Sequence, residues 1–241
     1  MPVCPSCHGP NIVKNGKTYY GKQNHRCKDC GRQFVLNNSH SIDSSQRTSI
    51  KRALNERISL RGICRVFKVS LNWLLDFAVQ VWQEVPADLG ITHQLMDRLR
   101  PGEAELLVLQ LDEAWSFVGK KTNKCWIWVV FDPVNRLVLA FHIGGRDKKS
   151  AQALWDKIPD RYKCRSGFAT DYWEAYNCVV PANRHLRGKA FTFIIEGFFA
   201  GMRARVSRLV RKNLAFSKKW LNHELALRFF FWNFNRRHPY I

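Results

Sequence analysis

The stretch Leu106-Leu-Val-Leu-Gln-Leu-Asp112 is a short apolar run that ends on an acid, and the fold is read outward from it. It has the length and composition of a strand. Cys125–Phe131 and Arg136–Ile143 are two more strand-like runs, separated by the turn sequence Asp132-Pro-Val-Asn135. Lys149–Ile158 then shows helical spacing through Ala151, Leu154, Trp155 and Ile158. Gly167–Thr170 is a brief strand that again ends on an acid, Asp171. A helix is expected over Trp173–Val180, a strand-like segment near His185–Phe191, and a long helix from about Ile195 to Arg211.

This order predicts three antiparallel strands extended by parallel ones, with helices covering the sheet. A mixed five-stranded sheet with flanking helices is the α/β arrangement of the ribonuclease H-like fold, expected here over residues 105–241. Three acids fall at element ends: Asp112 and Asp171 after strands, Glu196 near the start of the last long helix. Strand ends and a helix start can converge on one edge of such a sheet. Three carboxylates gathered there repel one another unless hard cations neutralise them, and two Mg²⁺ or Mn²⁺ ions would do so. Paired ions of this kind suit in-line attack at a phosphodiester. Glu113, Asp132, Asp147 and Glu174 are equally available by composition, and spacing alone does not exclude them. Beyond Glu196 the segment Arg203–Lys219 carries Arg203, Arg205, Arg208, Arg211, Lys212, Lys218 and Lys219 with no acid. Its single sign suggests a track for a DNA backbone. Trp115, Trp173 and Phe198 could stack on bases, but core packing is the readier reading of each.

Ahead of this part the chain opens with Cys4-Pro-Ser-Cys7 and Cys27-Lys-Asp-Cys30, with 19 residues between the pairs. Two such pairs suit a tetrahedral Cys₄ zinc site, structural because four thiolates leave no open position. With a hairpin over Lys17–Arg26, residues 1–40 are expected to form a zinc ribbon. Over residues 41–83, Ile50, Leu54, Ile58, Ile63 and Val66 recur at helical spacing. Ser70 is placed to cap a following helix, Leu71–Val79. This predicts a helix-turn-helix, with Arg61, Arg65, Lys68 and Asn72 offered to DNA phosphates or base edges. Residues 84–104, punctuated by Pro86, Gly90, Pro101 and Gly102, read as a linker with a short helix around His93–Leu99. Cys64, Cys125, Cys164 and Cys178 are expected as buried small hydrophobes.

Charge agrees with this division. The 241 residues hold 39 Lys and Arg against 19 Asp and Glu, a net +20. Residues 1–83 carry +9, residues 84–105 carry −3, and residues 106–241 carry +14. Such an excess points to a polyanion, most simply nucleic acid. A hydrophobic share of 46% excludes wholesale disorder. No run approaches the roughly 18 apolar residues of a membrane helix, and the opening residues lack a signal-peptide pattern. A reducing, cytoplasmic, nucleoid-associated location is therefore expected.

These residues also carry a family resemblance. Cys4–Cys30 with Cys-Gly-Arg-Gln-Phe at 30–34, Leu111-Asp-Glu-Ala-Trp-Ser-Phe-Val-Gly-Lys-Lys121, Asn123-Lys-Cys-Trp126, Thr170-Asp-Tyr-Trp-Glu-Ala-Tyr176 and Arg205-Val-Ser-Arg-Leu-Val-Arg-Lys212 resemble the transposases of insertion sequence 1, in a form joining the zinc-ribbon/helix-turn-helix part to the catalytic part. The resemblance implies a DDE-type transposase in which Asp112, Asp171 and Glu196 hold the catalytic metals. It also implies that the front part recognises terminal inverted repeats of the element, that target DNA is a second substrate, and that the chain works as a homodimer or higher multimer. The family resembles Asn-His-Ile-Glu-Arg-Phe-Asn around the glutamate, where this chain has Phe193-Ile-Ile-Glu-Gly-Phe-Phe199. Apolar neighbours imply a drier glutamate. They leave an alternative open: a catalytically impaired zinc-ribbon/helix-turn-helix protein that represses its own element.

Overall fold

A computed structural model describes residues 2–36, 42–91, 107–209 and 215–237. The chain divides into two compact units, Met1–Arg47 and Thr48–Ile241. In the first, β1 (Ile12–Lys17), β2 (Gln23–Cys27) and β3 (Gln33–Val35) form an antiparallel sheet in that order. The turn between β1 and β2 is closed by the Thr18 N–H donating to the Lys22 carbonyl at 2.8 Å. Gly21, at φ 74°, takes the left-handed conformation that this turn requires.

Helix α1 (Ser44–Ala53) leads into the second unit, where α2 (Leu60–Phe67) and α3 (Leu71–Gln83) follow. Ser59 accepts the Gly62 N–H at 3.0 Å, and Ser70 accepts the Trp73 N–H at 3.2 Å. Each hydroxyl satisfies a donor that the helix start would otherwise orphan. Lys68, left-handed at φ 54°, ends α2 and opens the tight turn to α3. The connectivity is thus helix, turn, helix, with the cap expected at Ser70. Helix α3 runs past Val79 because Val81 and Trp82 extend its apolar face. These two residues and Val85 bury against Leu225, Ala226 and Phe229 of a final helix, α7 (Trp220–Arg237), which periodicity did not reveal. Leu89 and Ile91 enter the main core. The start of the expected linker is therefore packed, and these helices share one compact unit with the sheet. The short helix expected around His93–Leu99 lies outside the described residues.

The sheet of this unit has five strands in the order β6-β5-β4-β7-β8. Strands β4 (Val108–Phe117), β5 (Lys124–Asp132) and β6 (Leu137–Gly144) are antiparallel. Strands β7 (Gly167–Thr170) and β8 (His185–Arg187) add to β4 in parallel. This is the predicted mixture of three antiparallel strands extended by parallel ones. Residues Ile127–Phe131 of β5 are wholly buried, as an unbroken apolar run at the sheet centre should be. The β5–β6 turn is organised by Asp132, whose carboxylate accepts from the N–H groups of Val134 and Asn135 and from the Asn135 amide.

Helix α4 (Lys148–Asp156) is capped by Asp147 at 2.8 Å from the Ser150 nitrogen, and α5 (Asp160–Arg165) follows. After β7 the expected helix over Trp173–Val180 is a 3₁₀ turn, Glu174–Cys178. Val180 precedes Pro181, which disfavours a helical conformation there. Helix α6 (Phe193–Arg205) stops at Val206, which is extended at ψ 102°, and not at Arg211. The Phe131 ring lies 5.0 Å from Phe198 of α6 and 6.1 Å from Phe234 of α7. Trp128 meets Tyr176 edge-on at 5.5 Å.

Candidate functional site

Strand β7 pairs with β4 through Val108↔Gly167, Leu109↔Phe168 and Gln110↔Ala169. Continuing that register two places sets Asp112 opposite Asp171. The sequence suggested that Asp112 closes a strand, but β4 continues to Phe117. What ends is its neighbour: β7 stops at Thr170, so Asp112 stands where one side of β4 has just lost its partner. The third acid arrives by a different device. Helix α6 has no side-chain cap from Thr192. The N–H of Ile195, in its first turn, instead donates to the Gln110 Oε1 of β4 at 2.8 Å. Side chains two places apart on a strand share a face, so Gln110 anchors the start of α6 on the same face of β4 that carries Asp112. Glu196 follows directly in that first turn.

Burial, first of all, pushes the Asp112 carboxyl up to about 7, and the charges of Glu113, Asp171 and Glu196 add to it. The Glu113 N–H, at 2.7 Å, offsets part of the effect. Asp112 therefore senses both of the other predicted acids. Their oxygens do not all lie within 4.8 Å of one another, since among the described residues the one such group of three or more ligand side chains is made of cysteines. A pair of divalent ions sits about 3.5–4 Å apart and takes ligands spread around it. Glu196 and Gly197 are exposed, while Ile195, Phe198 and Phe199 point inward. The apolar residues near the glutamate thus largely serve the core, and the drier setting expected for it is not found.

The competing acids have other work. Asp132 makes a turn and Asp147 caps α4, as described above. Glu174 is exposed. Glu113 is buried on the opposite face of β4 from Asp112, where it accepts from Arg146 Nε at 2.8 Å and from the Tyr176 hydroxyl at 2.8 Å. Burial raises its carboxyl, and Tyr176 and Arg146 oppose the rise. The Arg146 guanidinium lies 4.3 Å from the ring centre of Trp173 and 4.7 Å from that of Trp126. Trp173 is therefore engaged in packing, and Phe198 belongs to the core. Trp115 is half-buried with Phe117 beside it at 5.6 Å. Gln110, Arg146 and Tyr176 were missed from sequence. The signal for Gln110 was present, since it is the one polar residue inside Leu106–Leu111.

In the first unit Cys4, Cys7, Cys27 and Cys30 place their sulfurs within 4.8 Å of one another. The Cys4–Cys30 and Cys7–Cys27 Sγ separations are both 3.6 Å. A tetrahedron with 2.3 Å metal–sulfur bonds has edges of about 3.8 Å, so the set fits a structural zinc ion. The backbone N–H of Cys7 leads in drawing Cys4 down to about 6, with that of Ser6 assisting. For Cys7 the backbone N–H of Gly9 favours the thiolate, but the sulfurs of Cys30 and Cys27 outweigh it and push the thiol up to about 12. Four adjacent thiols cannot all ionise alone, and a divalent cation removes that conflict. Of the other cysteines, Cys125 is buried as expected, whereas Cys64 is only half-buried. Cys164 and Cys178 are exposed, which corrects the expectation for them.

Arg61, Arg65, Lys68 and Asn72 are all exposed on the α2–α3 segment. The second basic set differs from the single track expected. Because α6 ends at Val206, its basic residues no longer share one helical face. Arg203 is half-buried, Arg205 pairs with Glu56 at 3.1 Å, and Arg208 lies over Trp82 at 4.9 Å and donates to Ser217 at 3.1 Å. Arg211 and Lys212 lie outside the described residues.

A mixed five-stranded sheet with flanking helices, consistent with a ribonuclease H-like fold and preceded by a four-cysteine ribbon, places this chain in the class of DDE-type transposases. Residues 105–236 match the family model described as IS1 transposase, and the chain belongs to that family. It is 35% identical over 122 residues to the insertion element iso-IS1n protein InsB of Shigella dysenteriae, covering 50% of this chain and 91% of that protein. It is 28% identical over 135 residues to the insertion element IS1 4 protein InsB of Escherichia coli (strain K12), covering 54% and 77% respectively. No helix among the described residues is long and apolar enough to cross a membrane.

Proposed function

We propose that this chain is a DNA transposase that cuts the ends of its own insertion element and joins them to target DNA. The observation that carries this reading is the β4–β7 register, which when continued sets Asp112 opposite Asp171 where β7 ends, in a chain of the IS1 transposase family. The oxygens of these three acids would hold two Mg²⁺ or Mn²⁺ ions. When bound, such ions supply a more nucleophilic water or 3′-hydroxyl and stabilise charge on the leaving oxygen. Asp112 lies on β4 and Asp171 directly follows β7, and Gln110 fixes the first turn of α6, which carries Glu196, through the Ile195 N–H. On the other face, the Tyr176–Glu113–Arg146 bonds brace β4 against the segment that follows Asp171.

The ribbon, with zinc on Cys4, Cys7, Cys27 and Cys30, and the α2–α3 segment, with Arg61, Arg65, Lys68 and Asn72, recognise the terminal inverted repeats. Two ends must be held for joining, so the active form is a homodimer or larger multimer, working on the nucleoid in the cytoplasm. Asp112→Asn and Asp171→Asn are tested on a duplex carrying the element end, with Mg²⁺ present. Nicking is abolished while end binding persists; nicking that survives either change overturns the assignment. The second reading, a non-cutting repressor, draws on the apolar residues around Glu196, and it requires a wild-type protein that binds the end yet leaves no nick.

A further inference from the structure

The described part of the chain buries most of its aromatic rings, but three are exposed next to the acids. Tyr172 directly follows Asp171 and is 65% exposed, Phe193 is three residues before Glu196 and 65% exposed, and Phe191 is 45% exposed. They do not reach the surface by accident of a loose loop. Strand β8 holds Arg187 opposite Thr170, and the Gly188 N–H donates to the Thr170 carbonyl at 2.9 Å. Gly188 has φ 150°, and a Cβ there would stand 3.5 Å from the Tyr172 hydroxyl and 3.5 Å from the Phe191 ring. The two side chains therefore close over Gly188, which is buried, and leave the rest of their rings exposed as a small aromatic platform. The Arg187 guanidinium lies 5.9 Å from the Tyr172 ring centre, and Lys189 follows in the same loop. A large apolar surface left open to water beside a charged site marks an interaction surface. Its flanking cations favour a polyanion, and flat aromatic faces suit nucleobases, every one of which has a π-face.

We propose that the exposed rings of Tyr172 and Phe191, seated together over Gly188, form a stacking platform for one unpaired DNA base next to the phosphodiester to be cut, with Arg187 and Lys189 facing the adjoining backbone. The proposal rests on the transposase reading and deepens it. A paired base shows only its edge, so the platform selects DNA in which a base beside the cut has left the stack. That base then fixes which phosphate lies at the acids. Tyr172 and Phe191 are thus positioning residues and do no chemistry.

The test uses the full zinc-bound chain, without Mg²⁺ or Mn²⁺ so that the DNA stays whole. The duplex spans the element end, and 5-iododeoxyuridine replaces single bases on either side of the cut. Irradiation couples this base to an aromatic ring stacked upon it, and mass spectrometry locates the joined peptide. The expected product carries the base on Tyr172 or Phe191. The Y172A/F191A variant loses that product and, in Mg²⁺, cuts about 5- to 150-fold more slowly, the range for one lost stacking contact. The variant still binds the duplex, because its phosphate contacts are left in place. Tyr172→Phe and Phe191→Tyr, which keep the rings, restore both readouts. Binding with coupling only to other residues, or a double variant that couples as well as wild type, overturns the stacking platform and leaves the transposase reading standing. Failure to bind the duplex overturns both.

Discussion

Replacing Gln110 by Met tests how the glutamate is delivered. Met has a similar length and volume but no oxygen to accept the Ile195 N–H, which Gln110 now holds at 2.8 Å. Gln110 is 5% exposed, so water cannot take its place freely. Thr192 offers no side-chain cap, and the donor is left unpaired in the first turn of α6. An orphaned buried donor costs about 1–3 kcal/mol, and loss of a helix cap about 0.5–2 kcal/mol. The two ranges describe the same lost bond and meet near 2 kcal/mol, roughly a 30-fold change in the unfolding equilibrium. For a unit of this size that is a fall in Tm of about 4–8 °C. Urea unfolding followed by tryptophan fluorescence measures it directly. The same variant weakens divalent-ion binding, because Glu196 rides on the loosened turn. A loss below about 0.5 kcal/mol with unchanged ion binding would refute the argument that a strand residue anchors this helix.

Three further outcomes follow from other residues. His223 is buried between Ser116 and Ser217, and burial, reinforced by Arg208, lowers it to about 4. It is neutral in the folded state, so stability is fully present above the ordinary histidine value and declines as pH falls from about 6.5 to 4. The decline is about 3 kcal/mol, and denaturant midpoints at pH 7 and pH 4 check it against His223→Phe, in which it shrinks. Glu56→Gln removes the pairs to Arg205 at 3.1 Å and Arg237 at 3.2 Å. These groups are partly solvated, so the cost is below about 1 kcal/mol and fades in high salt; a larger, salt-independent loss contradicts the assignment. Removing zinc with a chelator, or Cys27→Ser, unfolds the first unit and weakens end binding. Elemental analysis and amide exchange of residues 12–35 report it, and a chelated ribbon that keeps its protection argues against a structural metal.

The parts of this molecule visible in its sequence were those set by local pattern. The two Cys-x-x-Cys pairs, the cap at Ser70 and the largely apolar runs of β4 to β6 each depend on neighbours within a few residues. Asp112, Asp171 and Glu196 were placed in broad terms by their positions beside such elements. What stayed hidden depends on partners far away in the chain. Nothing around Val81 and Trp82 announces Leu225 and Phe229 as their neighbours, and α7 itself has apolar residues on too many sides to show a clear stripe. The basic run after Glu196 was misjudged because a helix was assumed to continue through Val206, which turned Arg205 and Arg208 toward Glu56 and Trp82. Glu113 carries the same charge as Asp112 one place away. Only the alternation of strand faces, with Tyr176 and Arg146 beneath one of them, separates their roles.

The sharing of apolar side chains between α3 and α7 bears on how damage to this protein is interpreted. A substitution at Phe229, a buried side chain, loosens the seat of α3, the helix that carries Asn72. Screens that score only target recognition will count such a lesion among contact mutants. Calorimetry tells them apart: a seat mutant melts early even with no oligonucleotide in the cell, whereas a true contact mutant melts like the parent.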